Sequence, residues 1–306
     1  MEGEAWGGTV RAKSATALRY LGSRTRLGAV GGFPPASPKQ RPPPPRLSRF
    51  LSVLSPPRLT LDARLMWQRT HHSWESPNLL GRPMEMVVHG HAGARLLVFP
   101  TSMGRYHEWE DREMCRALEP QLTDGSLQMY CVASVDDLSW YDDAAHPHVR
   151  AVWHARYDAY LRDEVLPFSQ ARNDNPFLIT AGASFGAFHA LSFGCRYPHL
   201  VSRILAMSGL VDIKRLTHGF SDDLIYDYNP MDFMRHEHEP ARLDALRRMD
   251  IILAVGRDDS LCPGNEDFSR VLQSRGIGSA LRLWDGWAHD WPWWQQMTQL
   301  YIGGHD

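Results

Sequence analysis

Cysteine is scarce and shows no pairing pattern. Four occur in 306 residues, Cys115, Cys131, Cys195 and Cys262, without a C-x-x-C pair or the regular spacing of a disulfide framework, which argues against a stapled secreted scaffold. They read as buried thiols in a reducing compartment, and the expected location is cytoplasmic. No apolar run approaches the roughly 18 residues that a membrane helix needs, so no membrane partner is expected. Metal-site spacing is missing as well. His71 with His72, His89 with His91, and His236 with His238 have neither the helical H-E-x-x-H arrangement nor a partnered C-x-x-C, so neither a metal nor any other cofactor is expected. No internal repeat of useful length is present.

An excess of positive charge is also missing from most of the chain. The whole sequence has 33 basic and 35 acidic residues, of which 11 and 3 fall in residues 1–65, leaving residues 66–306 with 22 and 32. An acidic body argues against nucleic acid as the main partner, because phosphate binding needs a basic face. Residues 1–65 also hold nine prolines, including Pro42, Pro43, Pro44 and Pro45. Such a segment cannot bury enough apolar surface to offset its chain entropy. It is expected to be a disordered leader, dispensable, or the product of a start assigned too far upstream, with Met66 as the true start. It has no apolar stretch of secretory length.

What is present begins at Met66. Short apolar runs alternate with amphipathic stretches, the pattern of a mostly parallel sheet covered by helices on both faces. Strands are expected at Met84 to His89, Arg95 to Pro100, Leu127 to Ser134, Phe177 to Ala181, Arg203 to Met207, Ile251 to Gly256 and Leu281 to Asp285. The first two, separated by Gly90 to Ala94, read as a β-hairpin. Helices are expected around Glu108 to Leu122, Val149 to Pro167, Gly186 to Tyr197, Pro240 to Arg248 and Asn265 to Arg275. Gly219 to Glu239 has no clear period and reads as an irregular excursion of the kind that shapes pockets.

The strongest local signal is Gly182-Ala183-Ser184-Phe185-Gly186, directly after the apolar run Phe177 to Ala181 and directly before a helical stretch. A nucleophile elbow needs this context: the turn is so tight that the positions two before and two after the serine must be small, and the hydroxyl stands at a helix N-terminus. A serine hydroxyl is a weak nucleophile without a base, and in the α/β-hydrolase fold the acid and the histidine follow in that order. His289, in the loop Gly286-Trp287-Ala288-His289-Asp290-Trp291 after the last strand, occupies the base position. The turn Gly256-Arg257-Asp258-Asp259 offers two carboxylates, of which Asp259 is favoured as the residue that orients the imidazole. A tetrahedral intermediate needs two N–H donors. One is expected from Phe185, the other from the turn Thr101-Ser102-Met103-Gly104, with Ser102 chosen first and Met103 next. Trp291, Trp293 and Trp294 read as packing residues. Trp287, two residues from the base, is with Met103 a candidate for contacting substrate.

The sequence resembles the putative-esterase branch of the α/β hydrolases, relatives of esterase D-type thioesterases, feruloyl and enterochelin esterases and mycobacterial mycolyltransferases. The resemblance runs from about Trp67 to Tyr301. It is carried by Phe99 to Arg105, Ser134-Val135-Asp136, Ser139-Trp140-Tyr141, Gly182 to Ala187 and Trp287 to Trp294. Relatives carry a Gly-x-x-Asp turn that maps onto Gly256 to Asp259 and supports Asp259. The resemblance implies a serine carboxylic-ester hydrolase acting on a small-molecule or polymeric ester through an acyl-enzyme. Acyl transfer to an alcohol or sugar with the same triad is the alternative, and a non-catalytic binding protein on a hydrolase fold is disfavoured because all three triad positions are intact.

Overall fold

The computed structural model describes residues 67–303; the expected leader, residues 1–65, lies outside them. The strands are β1 (Arg69–Ser76), β2 (Arg82–His89), β3 (Ala94–Phe99), β4 (Leu127–Val132), β5 (Leu178–Ala183), β6 (Arg203–Met207), β7 (Asp250–Gly256) and β8 (Ala280–Trp284). They form one sheet in the order β1-β2-β4-β3-β5-β6-β7-β8. The first two pairings are antiparallel and all those from β4 to β8 are parallel.

Short helices α1 (Glu108–Asp111), α2 (Met114–Ala117) and α3 (Glu119–Asp124) follow β3. Then come α4 (Pro147–Tyr160), α5 (Leu166–Arg172), α6 (Phe185–Arg196), α7 (Asp223–Tyr228), α8 (Pro230–His236), α9 (Pro240–Arg248), α10 (Cys262–Ser274) and α11 (Trp291–Tyr301). The alternation along β4 explains why the sheet needs cover on both faces. Leu127, Met129 and Cys131 join a core with Trp109, Leu118, Trp294 and Met297, whereas Tyr130 and Val132 join one with Tyr157, Ala187, Leu191 and Leu272. Apolar side chains on both pleats of a strand stay out of water only between two helical layers.

Three expectations are corrected here. Met84 to His89 and Arg95 to Pro100 do not form a hairpin: β4 lies between β2 and β3, and the true hairpin is β1 with β2. The glycines that suggested a turn serve another purpose. A Cβ on Gly90 would sit 2.5 Å from Leu127 O and one on Gly93 2.0 Å from Ser126 C, so the connection hugs the start of β4 where no side chain fits. The stretch 108–122 is not one helix, because Glu113 adopts φ 56°, a left-handed value that ends a helical turn. The stretch 149–167 is helical as expected and runs on to Arg172, with a π-turn over Leu161–Val165 between α4 and α5. Gly219 to Glu239 is not irregular throughout. It holds α7, capped by Asp222 accepting from Ile225 N–H at 2.9 Å, and α8, opened by Pro230.

Strand β1 escaped sequence reading. It is an edge strand, RTHHSWES, with half-buried and exposed residues in place of an apolar run.

Candidate active site

At the C-terminal end of β5 the chain turns into α6 through Ser184, with φ 54° and ψ −114°. A non-glycine residue there is strained, and the strain persists because the surroundings over-determine it. Ser184 N–H bonds Met207 O on β6 at 2.8 Å. The flanking glycines are obligatory: a Cβ on Gly182 would lie 2.2 Å from Gly186 C, and one on Gly186 2.6 Å from Phe99 O. Strand, helix and β3 approach so closely that the hydroxyl is forced outward.

His289 is brought to the serine by the loop between β8 and α11. That loop crosses the end of β7 at Gly256, where a Cβ would meet Trp287 O at 2.1 Å, and it is tied there by Asp258 N–H to Gly286 O at 2.9 Å. His289 Nε2 lies 3.2 Å from Ser184 Oγ, and Nδ1 lies 2.8 Å from Asp259 Oδ2. The second oxygen of Asp259 accepts Leu261 N–H at 2.9 Å. Of the two adjacent carboxylates, Asp259 is 3% exposed and Asp258 faces solvent. Trp287, 56% exposed, stacks on the imidazole at 5.5 Å and 23°, and buried Trp294 meets it edge-on at 5.3 Å.

The turn after β3 carries the other expected donor. Thr101 N–H bonds Glu108 Oε2 at 2.8 Å, Met103 N–H bonds Asp136 Oδ2 at 3.0 Å, and Gly104 N–H bonds Thr101 O at 2.9 Å. Ser102 N–H alone in this turn has no partner among the described residues. Met103 is thus committed elsewhere as a donor. Phe185 N–H heads α6, in the first turn where helical N–H groups lack intrahelical partners.

Ser184, Phe185 and His289 open into a cavity of about 230 Å³ walled by Tyr141, Leu210, Leu216 and Leu261, with Arg215 and Ser260 at the exposed rim. Sequence reading did not single out these wall positions. They come from three separated segments, and only Tyr141 lay in a quoted motif. Met103 borders a neighbouring cavity of about 340 Å³ with Arg82, Glu85 and Tyr106. Tyr141 joins the turn after β3 to this wall, its hydroxyl 2.6 Å from Ser102 Oγ and its ring 4.9 Å from that of Phe185.

Five of the six histidines weighed as metal ligands have hydrogen-bond partners, His238 through His236 O at 2.7 Å. His71 pairs with Glu85, His72 with Thr70 and His236 with Tyr226. His89 is buried and accepts Trp67 Nε1–H on Nδ1 at 3.1 Å. The four cysteines are free and buried. Among the described residues no helix is long and apolar enough to cross a membrane.

The sequence model of the family described as putative esterase matches residues 130–299. No curated protein matches the chain. Among solved structures, a ferulic acid esterase superposes with a TM-score of 0.62 at 18% identity, over 77% of this chain and 96% of the other. An S-formylglutathione hydrolase from Agrobacterium tumefaciens gives 0.60 at 15% identity, over 79% and 95%. Mycobacterium tuberculosis MPT51 gives 0.56 at 13%, over 76% and 96%. These likenesses establish the α/β-hydrolase fold.

Proposed function

The chain belongs to the putative-esterase family and is a serine esterase, and from that premise we propose that Ser184, His289 and Asp259 hydrolyse carboxylic esters through an acyl-enzyme. The observation that carries this reading is the continuous relay from Ser184 Oγ to His289 at 3.2 Å and on to Asp259 at 2.8 Å. Ser184 attacks the ester carbonyl as His289 Nε2 takes its proton. Asp259 keeps the proton of the other nitrogen on Nδ1 and stabilises the imidazolium without becoming protonated. Oxyanion charge is met by the N–H groups of Phe185, at the head of α6, and Ser102, which has no other partner among the described residues. His289 returns the proton to the departing alcohol, and water, deprotonated by the same histidine, releases the acid.

The apolar wall of Leu210, Leu216 and Leu261 suits an acyl group, and about 230 Å³ lies below the usual span of roughly 300–1,000 Å³ for ligand sites. Short acyl groups are therefore the preferred substrates. The exposed rim lets water reach the acyl-enzyme, which favours hydrolysis over transfer to an alcohol. Four free thiols suit a cytoplasmic enzyme.

A ladder of p-nitrophenyl esters tests both parts. Turnover should peak at short chains, and Ser184→Ala should abolish turnover and labelling by a fluorophosphonate while leaving the circular-dichroism spectrum unchanged. Full labelling of the alanine variant would move the nucleophile elsewhere.

A further inference from the structure

Behind the oxyanion turn lies a carboxylate that the hydrolytic relay does not use. Asp136, four residues beyond the end of β4, is 1% exposed, and His189 on α6 is 2% exposed. One N–H donor reaches each oxygen: Met103 N–H meets Oδ2 at 3.0 Å and His189 Nε2 lies 3.1 Å from Oδ1. An ionised carboxylate only accepts, so Nε2 carries the proton. His189 stands one helical turn after Phe185 and packs on its ring at 4.8 Å. The backbone carbonyl of Asp136 also accepts Tyr141 N–H at 3.0 Å, and Tyr141 in turn reaches Ser102.

We propose that Asp136 is a positioning residue that fixes the spacing between the two oxyanion donors, by clamping the Ser102–Met103 turn to the helix that bears Phe185. The two donors come from segments more than 80 residues apart, and no direct bond joins their amides. The only polar side-chain bridge between Met103 N–H and α6 among the described residues runs through Asp136 and His189. The turn needs such a clamp, because Met103 is a non-glycine residue at φ 58°, a conformation that survives only when the surroundings enforce it. Bonding Met103 N–H to Asp136 also removes it as a competing donor and leaves Ser102 N–H free. A preorganised donor pair acts only on charge that develops in the transition state, so displacing one donor should act on kcat and leave KM nearly unchanged.

This inference rests on the Ser184 reading, and the test keeps the two apart. Asp136→Asn preserves volume but turns an NH₂ group toward one of the two donors. It should lower kcat by about 10 to 100-fold, since removing an oxyanion donor outright costs about 10²–10³. An aryl boronic acid, which forms a tetrahedral adduct with Ser184, should bind more weakly by a similar factor. His189→Ala should behave alike, whereas His189→Gln, which can still donate an amide N–H, should recover most of the loss. If Asp136→Asn does not fold, the two His189 variants decide. Unchanged kcat and boronate affinity in folded His189→Ala, or an effect confined to KM, would overturn the positioning role. Ser184→Ala run in parallel separates the readings: turnover or boronate adduct surviving there sinks the nucleophile assignment, while a dead Ser184→Ala beside a normal Asp136→Asn sinks only the clamp.

Discussion

The indole of Trp287 lies over the imidazole of His289, ring centres 5.5 Å apart and planes 23° from parallel, while more than half of the indole faces solvent. A large aromatic left this exposed is held by its contact with the base. In the proposed mechanism it shields one face of a ring that becomes cationic during turnover, and aromatic faces attract cations by about 0.5–1 kcal/mol at exposed sites. Trp287→Ala should therefore lower kcat by about two to fivefold, with Trp287→Phe close to wild type. Steady-state kinetics on one short ester decides this, and equal losses in both variants would remove stacking as the cause.

Asp259 and Asp258 are adjacent, yet only Asp259 is buried and bonded to His289. Asp259→Asn frees the imidazole to adopt the wrong tautomer, a defect worth on the order of 10⁴ in a well-studied serine protease. Turnover should fall by several orders of magnitude at unchanged fold. Asp258→Asn, exposed and without contact to the base, should cost tenfold or less. A dead Asp258 variant would shift the acid by one residue.

The loop that carries His289 passes so close to β7 that Gly256 admits no side chain. Gly256→Ala should push Trp287 outward and take His289 with it, at about 1–3 kcal/mol of stability and with a larger proportional loss of activity. Gly278, with open space around its would-be Cβ and no positive φ, supplies the control. Thermal melts and kinetics of the two alanine variants should differ sharply.

Burial pushes His89 down to about 4 from its ordinary 6.5, so it is neutral in the folded chain at pH 5, where the unfolded chain is largely protonated. Stability tied to His89 is complete above about pH 6.5 and is lost as pH falls toward about 4. That loss is on the order of 3 kcal/mol. Burial also lowers His154 well below its ordinary value, and it should act in the same direction. Urea unfolding from pH 7 to 4 should show the decline, and His89→Gln should flatten it by about one proton. An unchanged slope would mean that His89 takes up its proton without unfolding.

Residues 1–65 lie outside the described residues, and from their composition we propose that residues 66–306 suffice for catalysis. A chain beginning at Met66 should retain its melting temperature and kcat/KM. A clear fall in either would make residues 1–65 part of the enzyme.

Local chemistry was enough to find the elbow. A tight strand-to-helix turn can be built only with small residues at Gly182 and Gly186, and that demand is written in five consecutive letters. The alternation that buries β4 on both faces, and the aromatic loop around His289, were legible for the same reason. Strand order was not. Gly90 and Gly93 look like hairpin residues in sequence, and only the passage of the chain across β4 shows why they lack side chains. Edge strand β1 stayed hidden because pairing with β2, not its own apolar content, makes it a strand. Asp258 and Asp259 are chemically identical neighbours in the sequence, and burial against His289 separates them. The bond between Asp136 and His189 spans 53 residues and leaves no periodic trace. Sequence determines what each segment prefers over the few residues within its reach. Which distant segments meet is set by packing eight strands into one sheet, and that closure alone brings Ser184, His289, Asp259 and the turn after β3 to the same end.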